Sequence, residues 1–270
     1  MAKKTGLILG SGALYGAYGA GAASVLGREI HFDHVYGCSV GVFAGTLLIT
    51  NQFDLMLDLW RNYIHGKKLI NLANPIKGRN ILDLEYVLDL FKGSGFFLNL
   101  NKLSEERDRL TYVLTHCGSD EPEYFCPDRN NVFDGMIASL AVPFFRSPVK
   151  IKENYFYDGA FSDPYPLQKA LDDGNETVIV VSNFSTNDHS KPPLILAPLV
   201  AKAVRKCDEG MELVEKSCLT NQNIILLRPS TKIIRSILDR NKERINKTID
   251  QGIKGAEEFL FKFGGLFKRA

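Results

Sequence analysis

Ser39 lies in Gly37-Cys38-Ser39-Val40-Gly41, a Gly-x-Ser-x-Gly flanked by apolar stretches, and this is an arrangement that presents a serine as a nucleophile. The run Phe32-Asp33-His34-Val35-Tyr36 predicts a strand and Val42-Phe43-Ala44-Gly45-Thr46-Leu47-Leu48-Ile49 a helix, so Ser39 falls on the sharp turn between them. Gly37 and Gly41 tolerate the close backbone contacts of such a turn, and the helix N-terminus supplies N–H groups that favour a developing negative charge. Upstream, Leu7-Ile8-Leu9-Gly10-Ser11-Gly12-Ala13-Leu14-Tyr15-Gly16 passes from a buried strand into a glycine-rich loop, then into a small-residue helix through Leu26. The backbone around Gly10, Ser11, Gly12 and Ala13 can offer N–H groups to an anion. Read as chemistry the loop is an oxyanion hole, at roughly 2.7–4 kcal/mol per donor; a tight packing turn and a phosphate-binding loop are the alternatives. A dinucleotide fingerprint requires Gly-x-Gly-x-x-Gly, but the residue here is Tyr15 and Gly16 arrives one position late; no Lys-Ser/Thr follows as in a P-loop. Far downstream, Tyr155-Phe156-Tyr157-Asp158-Gly159-Ala160 is an aromatic strand ending in Asp-Gly. Asp158 could serve Ser39 as general base if burial raises its pKa from about 3.9 toward neutrality. Read alone, the same Asp-Gly is also a hairpin turn.

Strands and helices alternate along the rest of the chain, which predicts an α/β fold: a three-layer sandwich whose largely parallel central sheet is flanked by helices, followed by a helical C-terminal segment. Expected strands are Leu7–Leu9, His34–Tyr36, Thr111–His116, Glu123–Cys126, Tyr155–Tyr157, Val178–Ser182 and Ile224–Leu227. Asn51 to Phe97 reads as mostly helical, interrupted at Asn74-Pro75 and Lys77-Gly78, and is expected to cap the site; Phe96-Phe97-Leu98 is a core cluster or an acyl-pocket wall. Pro192-Pro193 and Pro198 mark a loop before the last helical region. From Thr231 to Ala270 there are ten Lys/Arg against five Asp/Glu, and Ile233, Ile234, Ile237, Leu238, Ile245, Ile249 and Ile253 recur at roughly helical spacing. This predicts a catalytic domain over 1–230 and a basic amphipathic helical segment over 231–270. That segment packs across the domain or lies on an anionic membrane surface, with Phe259, Phe261, Phe263 and Phe267 as the part most suited to lipid.

The glycine loop, the elbow and the Asp158-Gly159-Ala160 box occur in this order. With Ala138-Ser139-Leu140-Ala141-Val142-Pro143-Phe144-Phe145 as a small-residue helix end before the strands to the aspartate, they resemble the patatin-like phospholipase family. The resemblance covers about the first two thirds of the chain. It implies a serine acylhydrolase working through a Ser-Asp dyad: Ser39 as nucleophile, Asp158 as base and an oxyanion hole at Gly10, Ser11, Gly12 and Ala13, supported by Gly16, Gly37, Cys38, Gly41, Gly159 and Ala160. Phospholipids or lysophospholipids are the implied substrates, with no cofactor and no metal. Two positions depart from the family: Tyr15 stands where Arg or Lys is usual, and Cys38 where Thr is common. Tyr15 bears on how the loop is anchored and on the charge felt by a phosphate headgroup. An acyltransferase on the same dyad, or a lipid-binding module with a weak site, are the alternative functions.

A triad of Ser39, Asp158 and His189 would imitate an α/β-hydrolase, but there several strands precede the serine, whereas one clear strand precedes the elbow strand here. His189 lies in a polar loop, and His31 and His34 flank the elbow strand in structural roles. No His/Cys/Asp/Glu group has zinc spacing. With 270 residues, 45% hydrophobic and 24% charged, the chain can bury a large core without disulfides, and its formal net charge of +2 does not point to nucleic acid. Five cysteines at irregular spacing suit a reducing, cytoplasmic setting. Lys3-Lys4 before an apolar stretch mimics a signal peptide, but glycines interrupt that stretch and it reads as the first β-loop-α unit. No stretch is long enough for a transmembrane helix.

Overall fold

The structure, a computed structural model, describes residues 3–71, 74, 78, 80–92, 96–186 and 197–269. The expected positions of His189 and the Pro192-Pro193 loop, and Pro75 and Lys77 of the expected interruptions, lie outside them. Among the described residues eight strands form one sheet: β1 (Thr5–Leu9), β2 (His34–Cys38), β3 (Leu110–His116), β4 (Pro122–Phe125), β5 (Val149–Ile151), β6 (Asn154–Asp158), β7 (Thr177–Val181) and β8 (Ile224–Leu227). The helices are α1 (Ala17–Glu29), α2 (Gly41–Ile49), α3 (Phe53–Asn62), α4 (Gly66–Leu69), α5 (Leu84–Lys92), α6 (Leu100–Glu105), α7 (Val132–Ser139), α8 (Leu167–Asp172), α9 (Ala197–Thr220) and α10 (Lys242–Phe263). Strands β3-β2-β1-β7-β8 run parallel, and β4, β5 and β6 add an antiparallel extension beyond β3.

Covered on both faces, the parallel strands are apolar at nearly every position, as Thr-Gly-Leu-Ile-Leu in β1 and Thr-Val-Ile-Val-Val in β7. Their alternation sorts the layers. Leu7, Leu9, Val35, Ile179 and Val181 join the core under α1, α2 and α10, whereas Ile8, Tyr36, Val178 and Val180 join the opposite core with Leu167 and Ala170 of α8 and Val214 of α9. Every residue of α2 is buried, which explains why its sequence is apolar but for Thr46, whose hydroxyl donates to Val42 O (2.7 Å).

The register around β3 determines where the chemistry can occur. Strand β2 pairs with Leu110 to Val113 and β6 with Leu114 to His116, while β4 pairs with Tyr112 to Thr115 and so overlaps both. A strand has two edges, so β2 and β6 must share the edge that β4 leaves. They meet on it end to end, the parallel β2 stopping at Cys38 opposite Val113 and the antiparallel β6 stopping at Asp158 opposite Leu114.

Three expectations are revised. Val149–Ile151 is a strand that the sequence did not suggest, because it is three residues long and follows Pro148. Of the expected 51–97 cap, α3 instead packs into the main core through Met56, Leu59 and Trp60, while among the described residues of that span Ile64, Leu69, Ile70, Leu82 and Leu84 reach the site. The C-terminal helix begins at Lys242, and residues 231–241 are not helical. There the Asp239 carboxylate accepts from the backbone N–H groups of Arg235 (2.9 Å) and Asn241 (3.2 Å) and is gripped by Arg244. Asn241 then caps α10 by accepting from Arg244 N (2.8 Å).

Helix α10 packs along α1 through Ile245, Thr248, Ile249, Gly252, Ala256 and Phe259. The small residues of α1 make this approach close: a Cβ on Gly252 would stand 2.1 Å from the Tyr18 carbonyl oxygen, and one on Gly21 2.2 Å from that of Ile249. Gly252→Ala is therefore expected to destabilise the protein by about 2 kcal/mol, the clash exceeding the helix-propensity gain of about 1 kcal/mol. Urea unfolding checks this; a stabilised variant would contradict the packing. The aromatic tail is at the far end of the sheet from the C-terminal strand ends. His31 N donates to Lys268 O (3.0 Å), and Lys268 lies beside Asp33, which binds Thr5 at the start of β1.

Candidate active site

The C-terminal ends of β1, β2 and β6 converge on one point, the position at which open α/β sheets form their crevice. Ser39 is the first residue after β2 and has φ 53°, a left-handed conformation that a non-glycine residue adopts at a cost of about 1–3 kcal/mol. The surroundings hold it there: its N–H donates to Ser139 Oγ (2.9 Å), Ser139 Oγ in turn donates to Val113 O (2.8 Å), and Val42 N donates to Ser39 O (3.0 Å). Gly41 sits against β1, where any side chain would collide with the Leu9 carbonyl. Cys38 packs in a small buried cluster with Val113 and Ala160 beneath the turn.

Ser39 Oγ donates to Asp158 Oδ2 at 2.7 Å. The other carboxylate oxygen accepts from Ala160 N (2.9 Å), so Asp-Gly-Ala here caps a short 3₁₀ turn and is not a hairpin. Asp158 is 1% exposed, and burial raises its pKa to about 7, against the smaller opposing pull of the hydrogen bonds from Ala160 and Ser39. Gly159 passes over β3 so closely that a Cβ would lie 2.2 Å from Val113 O. A buried serine hydroxyl is thus paired with a carboxyl poised to exchange a proton near neutral pH.

On the other flank, Gly10 to Ala13 follow β1. Gly12 (φ 149°) and Ala13 (φ 47°) both have positive φ, and Ser11 Oγ is 3.2 Å from Cys207 Sγ of α9. Tyr15 is buried, its ring 5.2 Å from that of Phe184, with the Lys232 ammonium 5.5 Å above it. A cavity of about 130 Å³ opens between the loop and the dyad, lined by Ser11, Gly12, Ser39 and Asp158 and walled by apolar side chains, among them Phe145, Phe161 and Val204. A second cavity, of about 60 Å³, also reaches Ser39 and Asp158 and runs beneath Ile64, Leu69 and Leu84. Among the described residues, no Lys, Arg or His lines either.

The structure therefore brings Ser39, Asp158 and the 10–13 loop together. It leaves His31 and His34 at the opposite end of β2, where His34 Nδ1 pairs with Asn175 Oδ1 (2.9 Å). Of the Phe96-Phe97-Leu98 cluster, Phe96 and Leu98 are buried core residues, Phe97 is exposed, and none lines either of these cavities. Sequence reasoning missed Ser139, Cys207 and the cavity walls Ile237 and Leu238, which arrive from distant segments. No local pattern marks these roles.

A family model described as patatin-like phospholipase matches residues 7–171, more than half of the chain. The chain is 26% identical over 165 residues to the uncharacterized protein YjjU of Escherichia coli (strain K12); that match spans 60% of this chain and 46% of YjjU, less than half of that relative's length. Among solved structures, VipD from Legionella pneumophila is similar with a TM-score of 0.53, covering 96% of this chain and 67% of VipD. At 15% identity that likeness is one of fold.

Proposed function

This chain belongs to the patatin-like phospholipase family, and from that premise we propose that it is a lipid hydrolase that cleaves carboxylic ester bonds of phospholipids or lysophospholipids through an acyl-enzyme on Ser39. The observation that carries this reading is the 2.7 Å hydrogen bond from Ser39 Oγ to a buried carboxyl whose pKa lies near 7. Asp158 Oδ2 takes the Ser39 proton as Oγ attacks the ester carbonyl, and the oxyanion is met by N–H groups of the 10–13 loop. Collapse passes the proton from Asp158 to the leaving alcohol and leaves the acyl group on Oγ. Water then enters, gives a proton to Asp158, attacks the acyl carbonyl, and the fatty acid departs as Ser39 regains its proton. The apolar walls fit an acyl chain, and with no cation among the described lining residues a charged headgroup would stay at the mouth.

The mouth is also the better-placed surface for lipid. Phe144 is 73% exposed and has φ 70°, and it stands between Val142 and Phe145, which both line the larger cavity. The aromatic tail around Phe261 lies at the opposite end of the sheet. No described helix is long and apolar enough to cross a membrane; it is the exposure of Phe144 that leads this reading to place lipid contact at the rim.

Hydrolysis of a soluble short-chain ester and of vesicle phospholipid, together with fluorophosphonate labelling mapped to a residue, tests both points. Ser39→Ala is expected to abolish both activities and the label. Phe144→Ser is expected to keep the soluble activity and lower the vesicle activity at least fivefold. Lipid hydrolysis that survives Ser39→Ala would overturn the assignment, and equal loss on both substrates in Phe144→Ser would overturn the role of the rim.

A further inference from the structure

Asn183 follows β7 by two residues and is 3% exposed. Strand β7 is the parallel neighbour of β1, so Asn183 arrives beside the loop that continues β1. Its carboxamide is fully engaged there. Nδ2 donates to Gly10 O (2.8 Å) and Ser11 O (3.0 Å), and Oδ1 accepts from Gly19 N (2.9 Å) in the first turn of α1. Only this orientation of the amide satisfies two acceptors and one donor at once.

The consequence follows from peptide geometry. In a trans peptide the C=O of one residue and the N–H of the next point in opposite directions, and no described peptide bond is cis. A clamp on the carbonyls of Gly10 and Ser11 therefore turns the N–H groups of Ser11 and Gly12 away from Asn183. Ser11 and Gly12 also line the cavity that holds Ser39 and Asp158, and neither N–H has an acceptor among the described residues. Buried or half-buried backbone donors are normally paired, so two adjacent donors held open beside a nucleophile are suited to a charge that exists only during reaction.

We propose that Asn183 is the positioning residue of the oxyanion hole: one side-chain amide, bound to two successive carbonyls, fixes Ser11 N–H and Gly12 N–H toward the reacting carbonyl oxygen. This rests on the Ser39 acyl-enzyme reading. Gly12 at φ 149° has the freedom to let its peptide plane rotate, and Asn183 removes that freedom.

The test compares wild type with Asn183→Leu, which has no donor, Asn183→Ser, and Asn183→Asp, which keeps the acceptor for Gly19. Readouts are kcat and KM on a soluble ester, the Ki of a lipid trifluoromethyl ketone whose Ser39 adduct carries an oxyanion, the Kd of the corresponding alcohol, and urea unfolding. Loss of an oxyanion donor typically lowers kcat by about 10²–10³-fold. Asn183→Leu is expected to lower kcat per folded molecule about 100-fold with KM within about threefold, to weaken the ketone by the same factor as kcat/KM, and to leave alcohol binding unchanged. Lower stability with unchanged kcat per folded molecule and unchanged ketone affinity would assign Asn183 a structural role and overturn the proposal. Should the variants not fold, the wild type still decides, because its Ser11 and Gly12 ¹⁵N–¹H resonances must move downfield when the ketone adds and stay in place with the alcohol. A wild type that neither hydrolyses esters nor binds the ketone would instead overturn the Ser39 reading, an outcome distinct from an active enzyme indifferent to Asn183.

Discussion

Asp158→Asn is expected to lower ester hydrolysis by at least 10³-fold while making the protein harder to unfold at pH 8 and no harder at pH 4. On the proposed mechanism the loss follows from removing the proton acceptor for Ser39; a positioned general base is worth roughly 10²–10⁴-fold, and the same group would serve both acylation and deacylation. The gain follows from the burial that raises the pKa of Asp158 from 3.8 to about 7. Below about pH 4 the carboxyl is protonated in folded and unfolded chains alike and costs nothing. Between pH 4 and 7 the unfolded chain ionises while the folded one resists, so the relative stability present at low pH is lost as pH rises through the folded pKa. Above pH 7 the folded protein carries the full penalty of a buried charge, on the order of 4 kcal/mol at 1.36 kcal/mol per pKa unit. Asparagine has nearly the same shape, still accepts from Ala160 N and never ionises. Urea unfolding at pH 4, 5.5 and 8 should show the variant's advantage growing with pH, and wild-type kcat/KM should climb about tenfold per pH unit below 7 and level off above it. An advantage that does not vary with pH would show that Asp158 ionises in the fold as freely as in the open chain.

Gly41→Ala is expected to disable both halves of the site, with a loss of about 3 kcal/mol in stability, at the upper end of overpacking effects, and at least about 100-fold in kcat/KM. A Cβ on Gly41 would lie 2.1 Å from the Leu9 carbonyl oxygen and 2.9 Å from its carbonyl carbon. Backbone cannot swing aside like a side-chain end, so α2 and β1 must separate. Gly41 begins the helix two residues after Ser39, and Leu9 is the last residue of β1 before the 10–13 loop. The separation therefore moves Ser39 and the loop apart, and misplacement of about 1 Å suffices for a loss of order 10². Gly45→Ala, one turn further along the same helix, provides the control. Its nearest neighbour would be a Leu110 methyl at 3.3 Å, so stability should change by less than about 1 kcal/mol and activity should be retained. Equal effects from the two substitutions would remove the Gly41–Leu9 contact as the cause.

Much of the fold was legible because its signals are local. The apolar runs of β1 and β7 and the glycine punctuation after β1 and β2 follow from burial on both faces and from close backbone approach, and these restrict residue type at the position itself. Where the signal was not local, the reading failed. The spacing of Ile233, Ile234, Ile237 and Leu238 looks helical, but Ile234 enters the main core, Ile237 and Leu238 wall the larger cavity, and Asp239 stops any helix by taking two backbone N–H groups. A spacing of three and four residues cannot distinguish one helix face from an irregular segment whose side chains go to two different places.

The amino-acid sequence by itself determined the elbow at Ser39, the glycine-rich loop and the α/β layering, since each is a demand that a short stretch of backbone makes on its own residues. Tertiary structure makes the pairing of Asp158 with Ser39, which the sequence offered only through the family resemblance. The two are 119 positions apart and meet because β2 and β6 finish head to head on one edge of β3. It also decided that burial would bring Asp158 to about pH 7, that Asn183 would grip the loop carbonyls, and that the segment after residue 230 would close the cavity. Pairing across a sheet edge and exclusion from water are properties of the assembled chain, so no local stretch of sequence can encode them.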